Sequence, residues 1–187
     1  MRSEHNRVCP VERAGGLDNR IRRWLQNPLK ILKPYLREGM TALDLGCGPG
    51  FFTIDMARMV GKSGRVIACD LQEGMLRKLE DKIRETEFHD RIVLHKCGKD
   101  GIGAPESVDF VLAFYMVHEV PDQDRFFEEL ASIVKTNGQV LVVEPPFHVS
   151  TRAFESMVEK ARKARFVPVE GPKVLFSKTV IVKRDPQ

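Results

Sequence analysis

The stretch Thr41-Ala42-Leu43-Asp44-Leu45-Gly46-Cys47-Gly48-Pro49-Gly50 decides the fold. Thr41–Leu45 is an apolar run of strand length, and it stops in a glycine loop. The next stretch, Phe51–Val60, places Phe52, Met56, Met59 and Val60 at helical spacing, and Gly61-Lys62-Ser63-Gly64 closes it as a turn. A buried strand, a glycine turn and an amphipathic helix in that order form the opening half of a parallel βαβ unit.

Working outward, the same alternation continues. Arg65–Cys69 reads as a second strand ending at Asp70, and Leu71–Glu87 as a helix with Met75, Leu76, Leu79 and Ile83 on one face. Arg91–Cys97 and Val108–Phe114 read as strands three and four. Asp122 is placed to cap a helix carrying Phe126, Phe127, Leu130, Ile133 and Val134, with Asn137-Gly138 as its stop. Gln139–Val143 is a fifth strand, broken by Pro145-Pro146, and Thr151–Arg165 is a helix with a basic second half. Phe166–Glu170 and Val174–Val182 are two more strand-like segments, the second of which bends or divides near Ser177. With no helix between these last two, at least one runs antiparallel. The expected architecture is an α/β, doubly wound, Rossmann-like sheet of seven mostly parallel strands with an antiparallel C-terminal hairpin.

Composition agrees with that reading. A chain of 187 residues, 42% hydrophobic and 30% charged, with 14 Gly and 11 Pro, suits a single soluble globular domain. Its apolar runs, such as Val140–Val143, are far too short to span a membrane, and the opening MRSEHNRVCP lacks the apolar core of a secretory signal. The four cysteines, at 9, 47, 69 and 97, form no CxxC pair and read as reduced thiols of a cytoplasmic protein. A metal site from Cys9, His95 and Cys97 is the weaker alternative to packing thiols, and no metal is expected. Residues 1–40 carry 9 Lys/Arg against 4 Asp/Glu and residues 151–187 again 9 against 4, whereas residues 41–150 carry 12 against 18. The basic ends are either solvated surface or a rim that steers an anionic partner. Residues 1–40 hold Trp24, Leu25, Ile31, Leu32 and Leu36 at helical spacing, with Pro28 suited to a helix start and Pro34 to its limit. They are expected to form a helical extension, packed on the sheet or folded as a lid over residues 41–187.

Ligands of open parallel sheets bind beyond the carboxyl ends of the strands, at the topological switch point, so the glycine loop is the place to look. A dinucleotide fingerprint fails because its third glycine position is Phe51, and no Lys-Ser/Thr pair makes the loop a P-loop. Asp44 stands two positions before the first glycine, and Asp70 ends the second strand. An acid at the loop suits an ammonium-bearing, phosphate-free nucleoside, which describes S-adenosylmethionine.

Asp44 to Gly50 resembles the first motif of the class I S-adenosylmethionine-dependent methyltransferases. The likeness continues through Asp70, Phe114–Val120 with Pro121-Asp122, Lys135-Thr136-Asn137-Gly138 and Val142-Val143-Glu144-Pro145. It covers about residues 28–187 and is nearest to small-molecule methyltransferases of the ubiquinone/menaquinone-biosynthesis type. This resemblance implies that Gly46, Cys47, Gly48 and Gly50 form the cofactor loop and that Asp44 holds the ammonium end. It further implies that Asp70 binds the ribose hydroxyls and that Leu71 packs on the adenine. Phe114 and Tyr115 would line the sulfonium region. At the adenine edge the family commonly has Gly-Asp, whereas this chain has Cys97-Gly98-Lys99-Asp100, so the residue making that contact stays open.

For the acceptor side, His118-Glu119 after strand four is the candidate acid–base group, since a histidine near neutral pKa beside a carboxylate is suited to proton transfer. Tyr115, His118 and Glu144 are candidate substrate-binding residues, His148 is a weaker one, and Tyr35 and Cys9 reach the pocket mouth if the extension acts as a lid. The Asn/Asp-Pro-Pro-Tyr/Phe motif of base amino-methyltransferases is absent after strand four, and Glu144-Pro145-Pro146-Phe147 has the wrong acid in the wrong place. A small-molecule acceptor is therefore expected. The rivals are an RNA or protein methyltransferase using the basic ends, a non-catalytic cofactor-binding module, and an enzyme for thiols or metalloids using Cys9.

Overall fold

The computed structural model describes residues 25–98 and 101–185. Asp122 and Ser150 start their helices by accepting backbone N–H bonds from Arg125 (3.0 Å) and Ala153 (3.1 Å). Five strands run parallel: Thr41–Leu45 (β1), Arg65–Asp70 (β2), Ile92–Lys96 (β3), Val108–Phe114 (β4) and Val134–Glu144 (β5). The helices are Pro28–Leu32 (α1), Thr53–Val60 (α2), Glu73–Ile83 (α3), Gln123–Ile133 (α4) and Thr151–Lys163 (α5). Phe166–Glu170 (β6) and Lys178–Arg184 (β7) close the chain, and β7 lies antiparallel between β5 and β6. The sheet order is β3-β2-β1-β4-β5-β7-β6, the seven-stranded arrangement with the terminal antiparallel hairpin expected from the sequence. Among the described residues, no helix is long and apolar enough to cross a membrane.

The period-two pattern of β4 shows why helices cover both faces. Phe110, Leu112 and Phe114 pack with Leu32, Met56 and Leu79 of α1, α2 and α3, while Val111 and Ala113 pack with Phe127 and Leu130 of α4 and Met157 of α5. Because β1 leads to β2 and β3 on one side and β4 to β5 on the other, the chain reverses direction between β1 and β4. The carboxyl ends of those two strands open a crevice.

Several boundaries differ from the sequence reading. Helix α2 begins at Thr53 rather than Phe51. The helix expected over Leu71–Glu87 is shorter because the Thr86 hydroxyl and N–H both bond the Ile83 carbonyl, at 2.8 and 2.9 Å. Arg91 belongs to a 3-10 turn, so β3 starts at Ile92. Asn137-Gly138 does not stop α4, which ends at Ile133; Val134 already pairs with Val108, and Lys135 to Gly138 form a bulge before Gln139 pairs with Phe110. The segment from Val174 divides as the Ser177 reading allows: Ser177 N–H bonds the Val174 carbonyl at 2.9 Å, and the strand starts at Lys178. In the extension Ile31, Leu32 and Leu36 are buried and Leu25 is exposed. Trp24 lies outside the described residues.

Candidate functional site

The loop leaving β1 is held from below by strand β2. The Cys69 carbonyl accepts N–H bonds from Gly46 (2.9 Å) and Cys47 (3.1 Å), and Gly50 N–H closes the turn onto the Cys47 carbonyl (3.0 Å). Gly50 sits at φ +85°, where any residue with a side chain is strained, and an added Cβ would press on Leu79 Cδ1 of α3. Lys82 of α3 donates to the Pro49 carbonyl at 2.7 Å.

Two acids flank this loop. Asp44 is buried and accepts a hydrogen bond from the Thr53 hydroxyl at 2.6 Å. Asp70 accepts N–H bonds from Gly48 (2.9 Å) on one oxygen and Gln72 (2.8 Å) on the other, which joins the loop to the approach of α3. Burial raises the Asp70 pKa, and those two N–H bonds oppose the rise.

The loop borders a cavity of about 1000 Å³. Asp44, Gly46, Cys47, Gly48, Asp70 and Leu71 line one half of it. Cys97, Gly98, Phe114 and Tyr115 also line it, so every proposed cofactor residue except Gly50 faces the cavity. Lys99 and Asp100 lie outside the described residues, as does Cys9. Phe51, Phe52, Phe114 and Tyr115 form a chain of ring contacts with centroids 4.4–4.9 Å apart. This donor set fits a cationic nucleoside with an ammonium end. It offers carboxylates, glycine backbone and aromatic faces where a phosphate would require a cradle of cations or amides.

The acceptor half is arranged differently from the sequence expectation. Glu119 lines the cavity, but His118 and Glu144 do not. Glu144 is buried, and its carboxylate takes the His118 backbone N–H at 3.1 Å and the His118 ring Nδ1 at 2.5 Å. The carboxylate that engages His118 is thus Glu144 rather than its neighbour Glu119. That hydrogen bond raises the His118 pKa, against the effect of burial. Glu119, desolvated in the cavity wall, has its pKa pushed up to about 7. His148 stands edge-on to His118 with centroids 6.3 Å apart. Tyr35 does not reach the mouth; its ring stacks on Phe110 at 6.1 Å, on the face of the sheet. His95 is engaged with the Ile102 carbonyl at 2.7 Å.

Other residues here escaped the sequence reading. Asp122, the N-cap of α4, and Arg125, Phe126 and Glu129 on one stripe of that helix line the cavity, a spacing that the i, i+3, i+4, i+7 pattern could have revealed. The Glu129 carboxylate fixes the segment after β3 by accepting the N–H groups of Ile102 (2.9 Å) and Gly103 (2.7 Å). Tyr115, at φ +60°, holds two distant segments with one hydroxyl: Gln26 donates to it at 2.8 Å, and Ser177 bonds it at 2.7 Å. Leu25, Gln26 and Leu175, from those segments, line the cavity too.

Comparison with known proteins bears on this arrangement. Residues 42–138 match the family described as "Methyltransferase domain". The demethylmenaquinone methyltransferase of Bacillus velezensis is 32% identical over 66% of this chain and 52% of its own length. That of Lactobacillus johnsonii is 36% identical over 65% of this chain and 49% of its own. The chain thus spans about half the length of the curated relatives it matches. The crystal structure of a SAM-dependent methyltransferase from Aquifex aeolicus superposes with a TM-score of 0.82 at 26% identity, covering 94% of this chain and 98% of that one.

Proposed function

Since this chain belongs to the methyltransferase-domain family, we propose that it is an S-adenosylmethionine-dependent methyltransferase acting on a small-molecule acceptor in the cytoplasm. The observation that carries this reading is one cavity lined by Asp44, Asp70 and the glycine loop, by the rings of Phe114 and Tyr115, and by the neutral-range carboxyl of Glu119. When bound, the cofactor supplies an electrophilic methyl group on a sulfonium centre.

In this reading Asp44 receives the ammonium end, and Gly46, Cys47 and Gly48 give it close backbone approach. Asp70 takes the ribose hydroxyls, while Leu71, Cys97 and Gly98 border the adenine. Phe114 and Tyr115 present ring faces to the cationic centre. Glu119 removes the acceptor's proton: raised to about 7, it is ionised enough at neutral pH to act and basic enough to be useful. His118 and Glu144 position the turn that carries Glu119. The names of the relatives support a small acceptor of the demethylmenaquinone kind, and apolar Leu25 and Leu175 in the cavity lining suit one. Leu25 and Gln26, from the N-terminal extension, serve as a partial lid.

The test is transfer of labelled methyl from S-adenosylmethionine to a metabolite fraction and, separately, to total RNA. Salt-insensitive labelling of the small-molecule fraction is expected. Labelling confined to RNA, steeply weakened by salt, would instead favour the basic ends as the acceptor-binding surface.

A further inference from the structure

Two side chains outside the proposed cofactor contacts hold the turn that follows β3. Cys97 N–H bonds the Asp70 carbonyl at 3.2 Å, and Gly98 N–H bonds the Gly101 carbonyl at 3.0 Å, which folds the chain back before Ile102. The backbone of Ile102 is then gripped from both ends. Its N–H donates to Glu129 Oε2 at 2.9 Å, and the next N–H, of Gly103, donates to Glu129 Oε1 at 2.7 Å. The Ile102 carbonyl lies 2.7 Å from His95 Nε2; a carbonyl only accepts, so that nitrogen carries the hydrogen. Gly103, at φ +60°, turns the chain through the left-handed region open to glycine. An added Cβ at Gly101 would lie 3.2 Å from Glu129 Oε2, so the carboxylate packs directly against the turn.

We propose that Glu129 and His95 are positioning residues whose grip on this turn makes the cofactor site selective for adenine. The inference rests on the cofactor site proposed above. A ribose held at Asp70, the last residue of β2, directs its base toward the neighbouring strand β3 and the turn beyond it. There Gly98, Gly101 and Ile102 line the cavity, together with Phe126 and Glu129 of α4. Adenine presents a donor at its 6-amino group and an acceptor at N1. Hypoxanthine presents the reverse, an acceptor at O6 and a donor at N1. Backbone groups distinguish the two only when the turn that carries them keeps one orientation, and the clamp on Ile102 fixes it.

The clamp calls for a carboxylate. An ionised carboxylate only accepts, and Glu129 meets two donors, one on each oxygen. Glutamine has nearly the same shape but a single acceptor oxygen, and its amide NH2 would confront the second N–H. Glu129→Gln therefore releases one N–H of the turn without opening a void beside α4. His95 acts on the opposite side of the same residue, so its loss loosens the turn through the carbonyl instead.

The test titrates wild type and Glu129→Gln with S-adenosylhomocysteine and with S-inosylhomocysteine, its hypoxanthine counterpart, and follows amide hydrogen exchange in the free proteins. Wild type should bind the adenine compound about tenfold or more tighter, and Glu129→Gln should bring the two within about twofold. Exchange at the Ile102 and Gly103 amides should be about tenfold or more faster in the variant. His95→Leu, which removes the donor to the Ile102 carbonyl, should shrink the ratio in the same direction, and it supplies the reading if Glu129→Gln does not fold. An equal fall for both compounds would mean that Glu129 serves the fold alone. A wild type indifferent to the base, or a variant that keeps the wild-type ratio, would equally overturn the proposal while leaving the cofactor site standing. Failure of wild type to bind either compound would overturn the cofactor site itself, and the adenine role with it.

Discussion

On the β1–β2 side of the cavity, the lining is loop backbone and two carboxylates, from residues 44–50 and 70–72. On the β4 side they are side chains from segments that lie as far apart as Gln26, Glu119 and Leu175. The first side is a short piece of chain whose polar groups bond one another, with Asp70 taking two N–H groups and Asp44 a hydroxyl. The second carries backbone strain at Tyr115, which sits at positive φ, and a carboxyl pushed up to about 7. A cofactor common to a family suits a locally encoded, self-satisfied half. An acceptor particular to one protein suits a half assembled from many segments.

The largest expected break is on the cofactor side. Asp70→Ala removes the acceptor shared by Gly48 and Gln72 together with the proposed ribose contact. Charged hydrogen bonds are worth roughly 1.5–3 kcal/mol each, so affinity for S-adenosylhomocysteine should fall about a hundredfold or more in a calorimetric titration. Binding retained within about twofold would mean that Asp70 serves only the fold.

Glu119→Gln should act on the other half. A general base contributes about 100-fold or more, so kcat should drop by that order at pH 8 while product affinity changes little. The wild-type rate should rise with pH through about 7 as Glu119 ionises, and the variant should lose that limb. Folding responds with the opposite sign. The folded carboxyl keeps its proton up to about 7 whereas the unfolded one releases it near 4.5, so stability from the neutral form is lost as pH rises across that window. Thermal melts across the window should show a slope that Glu119→Gln reduces.

Gly50→Ala sharpens the contrast by testing the loop without touching a ligand group. The positive φ and the clash with Leu79 should together cost about 2–4 kcal/mol, read as a lower urea midpoint at unchanged slope. Tyr115→Phe is the gentlest. It removes the hydroxyl that Gln26 and Ser177 share, at about 1 kcal/mol, and should raise the acceptor KM roughly fivefold with kcat and product affinity nearly unchanged. A fall in product affinity instead would show that the Tyr115 hydroxyl, and not its ring alone, serves the cofactor.

How much of this was legible follows from the same contrast. The parallel sheet, the switch point and the loop-plus-acid pair were readable because each is written in neighbouring residues with a fixed period. The helix stop at Asn137-Gly138 was misplaced because a bulge uses the same turn residues as a helix end, and pairing with β4 won over helical continuation. The His118–Glu144 contact, the Glu129 clamp and the Tyr115 bridge to Gln26 and Ser177 depend on which chain ends meet above the sheet, and no periodicity encodes that. Adjacency in sequence pointed to Glu119 as the partner of His118. The turn at Val117–Glu119 sends the two side chains different ways, one toward Glu144 and one into the cavity.

Calorimetric titration of the reduced chain with S-adenosylhomocysteine, set beside a nicotinamide dinucleotide and a nucleoside triphosphate, tests the central claim most directly. One saturable site for the homocysteine compound, weakened about a hundredfold or more by Asp70→Ala and absent for the other two, is the predicted result. Silence with that compound while either phosphate-bearing nucleotide saturates the crevice would contradict it.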